Sequence, residues 1–423
     1  WEKLLTFFGK MAVNAVRASW REKVVTETNK HSKLQPSRKE LIERAAALVP
    51  VLRERSIKTE ELRRIPDENI ADLKDAGLWR ILRPECYGGY ITDFGAMVDV
   101  SIELGRGCAS TAWVYINLIS HNWMLPLWPR EAMEEIWGEN PDALIGSTLV
   151  FPSGNLKSVD GGYHFSGRWP YASGIDASDW MMLGSMIPNE KEGKEPRIVV
   201  VRASELEVID TWFVSGLAGT GSKDVACENL FVPDYRVLNP ALTREGYTPG
   251  TENLDGDAYS FPLVPFIPHL NMGPIIGIAI GAYEDFINKL QSQTSVYNRS
   301  RLAEHTTIQL KIAEAGVLID TAKLLVRENW MEAHNFIKNG DRSSVSDRAR
   351  WRRDAAYACK CCVDAVDLIH GVSGATANYL DNILQLRHRD IHAAAHQIHL
   401  SWDINAPEFG RVAVGLTPTN PLL

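Results

Sequence analysis

Between residues 143 and 233 the chain reads ALIGSTLV (143–150), GGYHFSGRW (161–169), SDWMMLGSMI (178–187), RIVVVRA (197–203), LEVIDTWF (206–213) and CENLFVP (227–233). These short runs are rich in Val, Ile, Thr and aromatic residues and are separated by Gly and Asp. That is the pattern of strands in a small antiparallel sheet. On both sides the apolar period lengthens from two to 3.6. Upstream, Pro36 and Ser37 open a helix with Leu41, Ala45, Leu48 and Leu52 on one face and Pro50 as an expected kink. A second helix starts at Pro66 and Asp67 and stops at Gly77, and Asp93 caps a third. Residues 108–125 are apolar all round, as in the central helix of a bundle, with His121 at its buried end. A short helix near 129–137 closes this part. After a loop at 239–265, helices are expected at 269–296, 302–338, 345–372 and 377–402, a four-helix bundle. The fold class is therefore α+β, mainly α. Residues 1–37 form a leader, 38–142 an N-terminal helical domain, 143–245 the β domain and 246–423 the C-terminal bundle.

Composition narrows the functions open to this chain. Its 423 residues suffice for two or three domains, and 45% apolar with 23% charged residues is ordinary for a globular protein. A net charge of −8 without a dense Lys/Arg patch argues against a nucleic-acid partner. No apolar run reaches the roughly 18 to 20 residues of a membrane span, so no membrane partner is expected. Three of the six cysteines, Cys359, Cys361 and Cys362, crowd into one expected helix, which fits reduced thiols in the cytoplasm better than a disulfide framework. Trp1, Leu4, Leu5 and Phe8 are amphipathic and read as a packing helix or a tag.

The run DNILQLRHRDIHAAAHQIHLSWD (381–403) carries His388, His392, His396 and His399 at spacings of four, four and three. On one helix these form a stripe beside three alanines, leaving room for a flat group. Structural capping, metal chelation and proton transfer all fit such a stripe. No carboxylate stands at HExxH spacing, so no metal is expected.

Helices, then a β domain, then a bundle resemble the acyl-CoA dehydrogenase fold. LRPECYGGY (82–90) is similar to that superfamily's P-E-x-Y-G-G element, and GLAGTGSKDVACENLFVP (216–233) to its strand pair ending in V-P. Dehydrogenases of this kind use a carboxylate base in a Y-E-G element, whereas AAHQIHLSWD (394–403) holds histidines and no Glu. The chain resembles instead the oxygenase components of two-component flavin monooxygenases, through TAW (111–113), SH (120–121), ALIGSTLVFPSG (143–154), YASG (171–174) and RDIHAAAH (389–396). The resemblance covers about residues 38–423. It implies reduced FMN or FAD delivered by a separate flavin reductase, O2 as co-substrate, a C4a-hydroperoxyflavin, and hydroxylation of a phenolic or related aromatic substrate by a homotetramer. Oxygenation of sulfur, an amino-sugar nitrogen or an indole, and acyl-CoA dehydrogenation, are the alternatives. No GxGxxG follows a strand, consistent with flavin being reduced elsewhere.

The same resemblance assigns residues. Ser173 matches the serine at flavin N5, Trp113 the tryptophan beside the ring, and His396 the histidine near C4a. His121 and Ser147 match the groups that hold the phenol oxygen, with Thr148 one register away. Arg299, Arg301, Thr220, Ser222, Ser373 and Thr376 are candidates for the flavin phosphate and ribityl chain. Trp169, Tyr171, Phe266 and His269 are expected to line the substrate pocket because they lie close to these motifs in sequence.

Overall fold

A computed structural model describes residues 35–423 except 91, 190–192, 245–247, 252–253, 255–256, 292–293, 295–300 and 421–422. The amphipathic run at 1–10 and Arg299 lie outside the described residues.

Among the described residues six α-helices precede the sheet: α1 (Arg38–Glu54), α2 (Ser56–Leu62), α3 (Asp67–Asp75), α4 (Phe94–Gly107), α5 (Ala109–Met124) and α6 (Arg130–Met133). Ser37 and Glu40 close a capping box on α1, which runs through Pro50, and Asp93 caps α4 through the Ala96 amide. Strands β1 (Ile145–Thr148), β2 (Gly154–Val159), β3 (Gly162–Ala172), β4 (Trp180–Asn189), β5 (Gly193–Arg202), β6 (Glu207–Ile209), β7 (Lys223–Pro233) and β8 (Val237–Leu238) form one sheet. The order is β6-β7-β3-β2-β4-β5-β8, with β1 on β4. The sheet departs from a wholly antiparallel one because β1 and β2 both run parallel to β4. The chain bends through Phe151–Ser153 between them and continues along β4 while taking up β3 on its other side.

The period of two in β4 and β5 divides the core. Trp180, Met182, Ile198 and Val200 join the helical core, while Met181, Leu183, Val199 and Val201 join a second core inside the β domain. Each fully buried aliphatic side chain of this kind contributes roughly 1.5–3 kcal/mol.

The bundle consists of α7 (Leu263–Leu290), α8 (Thr306–Lys338), α9 (Val345–Gly371), α10 (Ile383–Ala395) and α11 (Trp402–Ala413). Helix α7 is by length and composition apolar enough to cross a membrane, contrary to the sequence expectation. Yet 83% of its most apolar window is buried in this fold, so core packing accounts for the composition. Its backbone touches α4 where Gly277 meets Gly105; a Cβ on Gly277 would collide with the Ile102 carbonyl. The fourth expected helix is broken: α10 stops at Ala395, a turn at Ile398–Leu400 follows, and α11 begins at Trp402. Gln397 ends the helix, its side chain accepting the His399 amide at 2.6 Å. The four histidines therefore do not share one stripe.

Arg387 pins α10 to the rest. It is 2% exposed and donates to Asp285 Oδ2 (2.6 Å), the Arg106 carbonyl (2.6 Å) and the Gly105 carbonyl (3.3 Å). Arg387→Ala would remove the nearer of the two guanidinium partners of Asp285, leaving Arg53 at 3.3 Å, and the only side-chain donor to the Gly105 carbonyl among the described residues; it is expected to destabilise the chain by about 3 kcal/mol in urea unfolding.

Candidate flavin and substrate site

Helix α5 is the floor of the site. Of its sixteen residues only Asn117 is not fully buried. Trp113, Asn117 and His121 recur at intervals of four and so follow one stripe, about 12 Å from end to end. Asn117 went unremarked in the sequence; its place between the two motif residues is the signal.

At the Trp113 end the β domain brings three hydroxyls together. Ser173 Oγ lies 2.7 Å from Ser222 Oγ, which lies 2.7 Å from Thr220 Oγ1, and Thr220 donates to the Leu217 carbonyl at 2.8 Å. All three side chains are buried. The turn holding Ser173 sits on α5 because Gly174 abuts Val114 and Leu118, and its amide donates to the Thr220 carbonyl at 2.9 Å. Leu217 adopts a left-handed conformation with φ 54°. A non-glycine residue held there is strained by roughly 1–3 kcal/mol and persists only when its surroundings fix it. Here Trp212 Nε1 and Thr220 bond its carbonyl, and Asp390 of α10 accepts its amide at 2.7 Å. Asp390, unassigned from sequence, thus connects α10 to Ser173 through Leu217, Thr220 and Ser222.

At the other end His121 is 1% exposed, and burial pushes its imidazole down to about 4, partly offset by backbone groups of Ile145 and Leu118. Nδ1 is buried with no hydrogen bond of ordinary geometry. The backbone of Ile145 puts β1 against this ring, and Ser147, two residues on, faces the same side of the strand. Thr148 is engaged elsewhere, donating to the Pro170 carbonyl at 2.7 Å. Among the described residues Ser147 Oγ has no such partner, which favours it over Thr148 as a substrate contact.

His396 caps α10 and is exposed. Its Nδ1 donates to the His392 carbonyl at 2.7 Å, leaving Nε2 outward. The loop that carries Leu217 is clamped to α10 just before this point, with Arg389 bonding the Ser215 carbonyl and Glu60.

Other expected residues do not join this group within one chain. Trp169 is fully buried in the second core, its Nε1 donating to the Gly184 carbonyl at 2.6 Å, so it lines no substrate pocket. Phe266 and His269 are fully buried in the bundle, where His269 Nε2 lies 3.3 Å from Asn329 Nδ2. Sequence proximity to the motifs misled there, because α7 carries those positions into the core. Tyr171 alone of the four is open, 63% exposed beside Trp212. Arg301 pairs loosely with Glu304 at 3.8 Å, Thr376 accepts from Lys289 at 3.2 Å, and Ser373 bonds the Ile369 carbonyl at the end of its own helix. Arg301 and Thr376 flank the end of the bundle where α7 stops.

The donor set suits a flavin: a tryptophan and three linked hydroxyls at one end of α5, and an orphan imidazole nitrogen with a free serine at the other. Comparison with known proteins agrees. Residues 14–137 match the acyl-CoA dehydrogenase N-terminal domain family and residues 271–402 the acyl-CoA dehydrogenase C-terminal domain family. The FADH(2)-dependent resorcinol hydroxylase oxygenase component of Rhizobium sp. is 32% identical over 388 residues, covering 89% of this chain and 95% of that protein. The crystal structure of 3-HSA hydroxylase from Rhodococcus sp. RHA1 superposes with a TM-score of 0.86 at 31% identity, covering 91% and 99%. XiaF from Streptomyces sp., solved with FADH2 and glycerol, gives 0.85 at 25% identity, covering 96% and 100%. The chain has the acyl-CoA dehydrogenase fold. Within it, the chain belongs to the flavin-dependent monooxygenases, as the oxygenase component of a two-component system that uses reduced flavin.

Asp390 provides a pH test. Burial raises its carboxyl to about 7, against an unfolded value of about 3.9. A raised folded value means that stability is fullest below the unfolded value and is lost as pH rises toward about 7. Asp390→Asn keeps an acceptor for Leu217 without the charge. Its melting temperature at pH 8 is expected to equal or exceed that of the wild type, whereas Asp390→Ala lowers it at every pH.

Proposed function

We propose that this enzyme hydroxylates a phenolic compound next to its hydroxyl group, taking FADH2 from a separate reductase and O2 from solution. The observation that carries this reading is the pair formed by His121 and Ser147. A neutral, buried imidazole whose Nδ1 has no hydrogen bond lies against the backbone of Ile145, and Ser147, two residues further along that strand, has no side-chain hydrogen bond among the described residues. Such a pair accepts and donates at one oxygen, which is what a phenol offers. FADH2 is preferred to FMNH2 because two of the relatives compared above carry FADH2 in their names.

Bound reduced flavin supplies oxygen activation and transfer of one oxygen atom; the protein does the rest. Ser173, fixed by Ser222 and Thr220, would hold the flavin through its hydroxyl, and Trp113 would pack beside it. His396, whose Nδ1 bonds the His392 carbonyl, would offer Nε2 to the flavin as a donor or acceptor. The full burial of α5 keeps water from the face that the substrate shares with the flavin. His121 receives the phenol hydroxyl. With the imidazole near 4 and a phenol near 10, complete proton transfer is uphill by roughly 8 kcal/mol. The ring therefore acts as an acceptor that polarises the O–H bond, while Ser147 donates to the same oxygen as charge develops.

A homotetramer in the cytoplasm completes this reading. Leu310, Val317 and Leu324 are 63%, 66% and 57% exposed and recur every seven residues along α8, the spacing of a helix seam. A neighbouring copy at such a seam would be the source of flavin contacts from Arg301 and Thr376, which one chain does not bring to the site. Six free cysteines suit a reducing compartment.

His121→Ala is expected to lower the rate of phenol hydroxylation by roughly 100-fold, and Ser147→Ala by about tenfold. In both variants NADH-driven O2 consumption with the reductase continues, and the lost product appears as H2O2. Equal loss on a phenol and on a thioether would refute the phenol-specific role. A double variant, Leu310→Glu with Val317→Glu, is expected to reduce the mass measured by light scattering below four chains and to weaken FADH2 binding.

A further inference from the structure

A carboxylate for the histidine run, absent at HExxH spacing in the sequence, arrives in the fold from the preceding helix. Asp367 of α9 places Oδ1 3.0 Å from His388 Nε2 and 2.8 Å from His392 Nε2 of α10. The three potential ligand atoms lie within 4.8 Å of one another. His370, one turn along α9, stacks on His388 with ring centroids 4.2 Å apart, and His388 and His392 are 4.6 Å apart. Three imidazoles and one carboxylate thus crowd a face that solvent reaches, the Asp367, His388 and His392 side chains being 45%, 31% and 40% exposed.

We propose that Asp367, His388 and His392 bind a divalent transition-metal cation of the zinc class, with water or His370 in the fourth position. The i, i+4 histidine pair offers two nitrogens from one helix face, and the carboxylate comes from a second helix at right reach. In a tetrahedral site with ligand distances of about 2.0–2.1 Å, neighbouring donors stand about 3.3 Å apart. The separations to Asp367 fall short of that by a few tenths of an ångström, which small side-chain rotations supply. The cation joins α9 to α10 one turn before His396, whose Nδ1 bonds the His392 carbonyl. Metal binding would therefore stiffen the segment that aims His396, and it does not depend on the identity of the substrate.

The full-length protein, stripped with EDTA and dialysed free of chelator, is titrated with Co2+ by calorimetry and visible absorption. Its melting temperature is followed separately with Zn2+. Saturable uptake of one Co2+ per chain, with a nitrogen/oxygen ligand-field spectrum, and a higher melting temperature with Zn2+ are expected. Loss of a direct ligand weakens binding at least as much as loss of an outer-shell partner, roughly tenfold or more. The double variant His388→Gln with His392→Gln should show that weakening and no thermal shift. Asp367→Asn, which keeps an acceptor for both rings, should weaken binding without unfolding the chain. Absence of saturable Co2+ uptake by the wild type, or uptake unchanged in Asp367→Asn and in the double variant, would overturn the proposal.

Discussion

A single buried guanidinium holds the two halves of the site in register. Arg387 leaves α10, enters the space beside α7 and reaches the carbonyls that end α4, with Asp285 balancing its charge. The space exists only because residue 281 has no side chain; a Cβ there would collide with the guanidinium. Taking this charge out of water is worthwhile because every strong bond it makes is directional. The position of α10 follows, and with it that of Asp390 one helical turn later. Asp390 fixes Leu217, and Leu217 fixes the three hydroxyls that end at Ser173. A bond made in the bundle thus determines the geometry of a turn in the β domain.

The sequence exposed much of this fold because its elements are marked at their ends and by their periods. Ser37, Asp93 and the alternation through 178–187 are local signals, and local signals survive in one dimension. Ser173, Ser222 and Thr220 were singled out separately and proved to be mutual neighbours, since two turns of one domain bring them together. Failures came where tertiary packing overrides proximity. Trp169 and Phe266 sit near motif residues in sequence, but strand alternation and helix rotation turn them into cores. The break after Ala395 was hidden by three alanines that favour continuation; Gln397, which caps the next turn, was the only local sign. Asp390 carried no signal of type or spacing, because its role is defined by what lies opposite it in space.

His121 shows how burial selects a role. An imidazole at the surface titrates near neutrality and serves as a full base. Enclosed at the end of α5, this one stays neutral throughout the physiological range and loses the strength to take a proton outright. It remains a good acceptor with a fixed direction, which matters more when a neighbouring oxygen must be made electron-rich without being released as an anion into a dry cavity.

The near-complete enclosure of α5 also divides the molecule by evolutionary freedom. Every residue that faces inward from this helix is packed on several sides, so most changes there sacrifice stability before they alter selectivity. The turn at 171–174 and the loop at 210–217 carry Tyr171 and Phe213, both largely open to solvent. Substitutions on those exposed segments cost the fold little, so sequence change is tolerated there where the enclosed helix resists it.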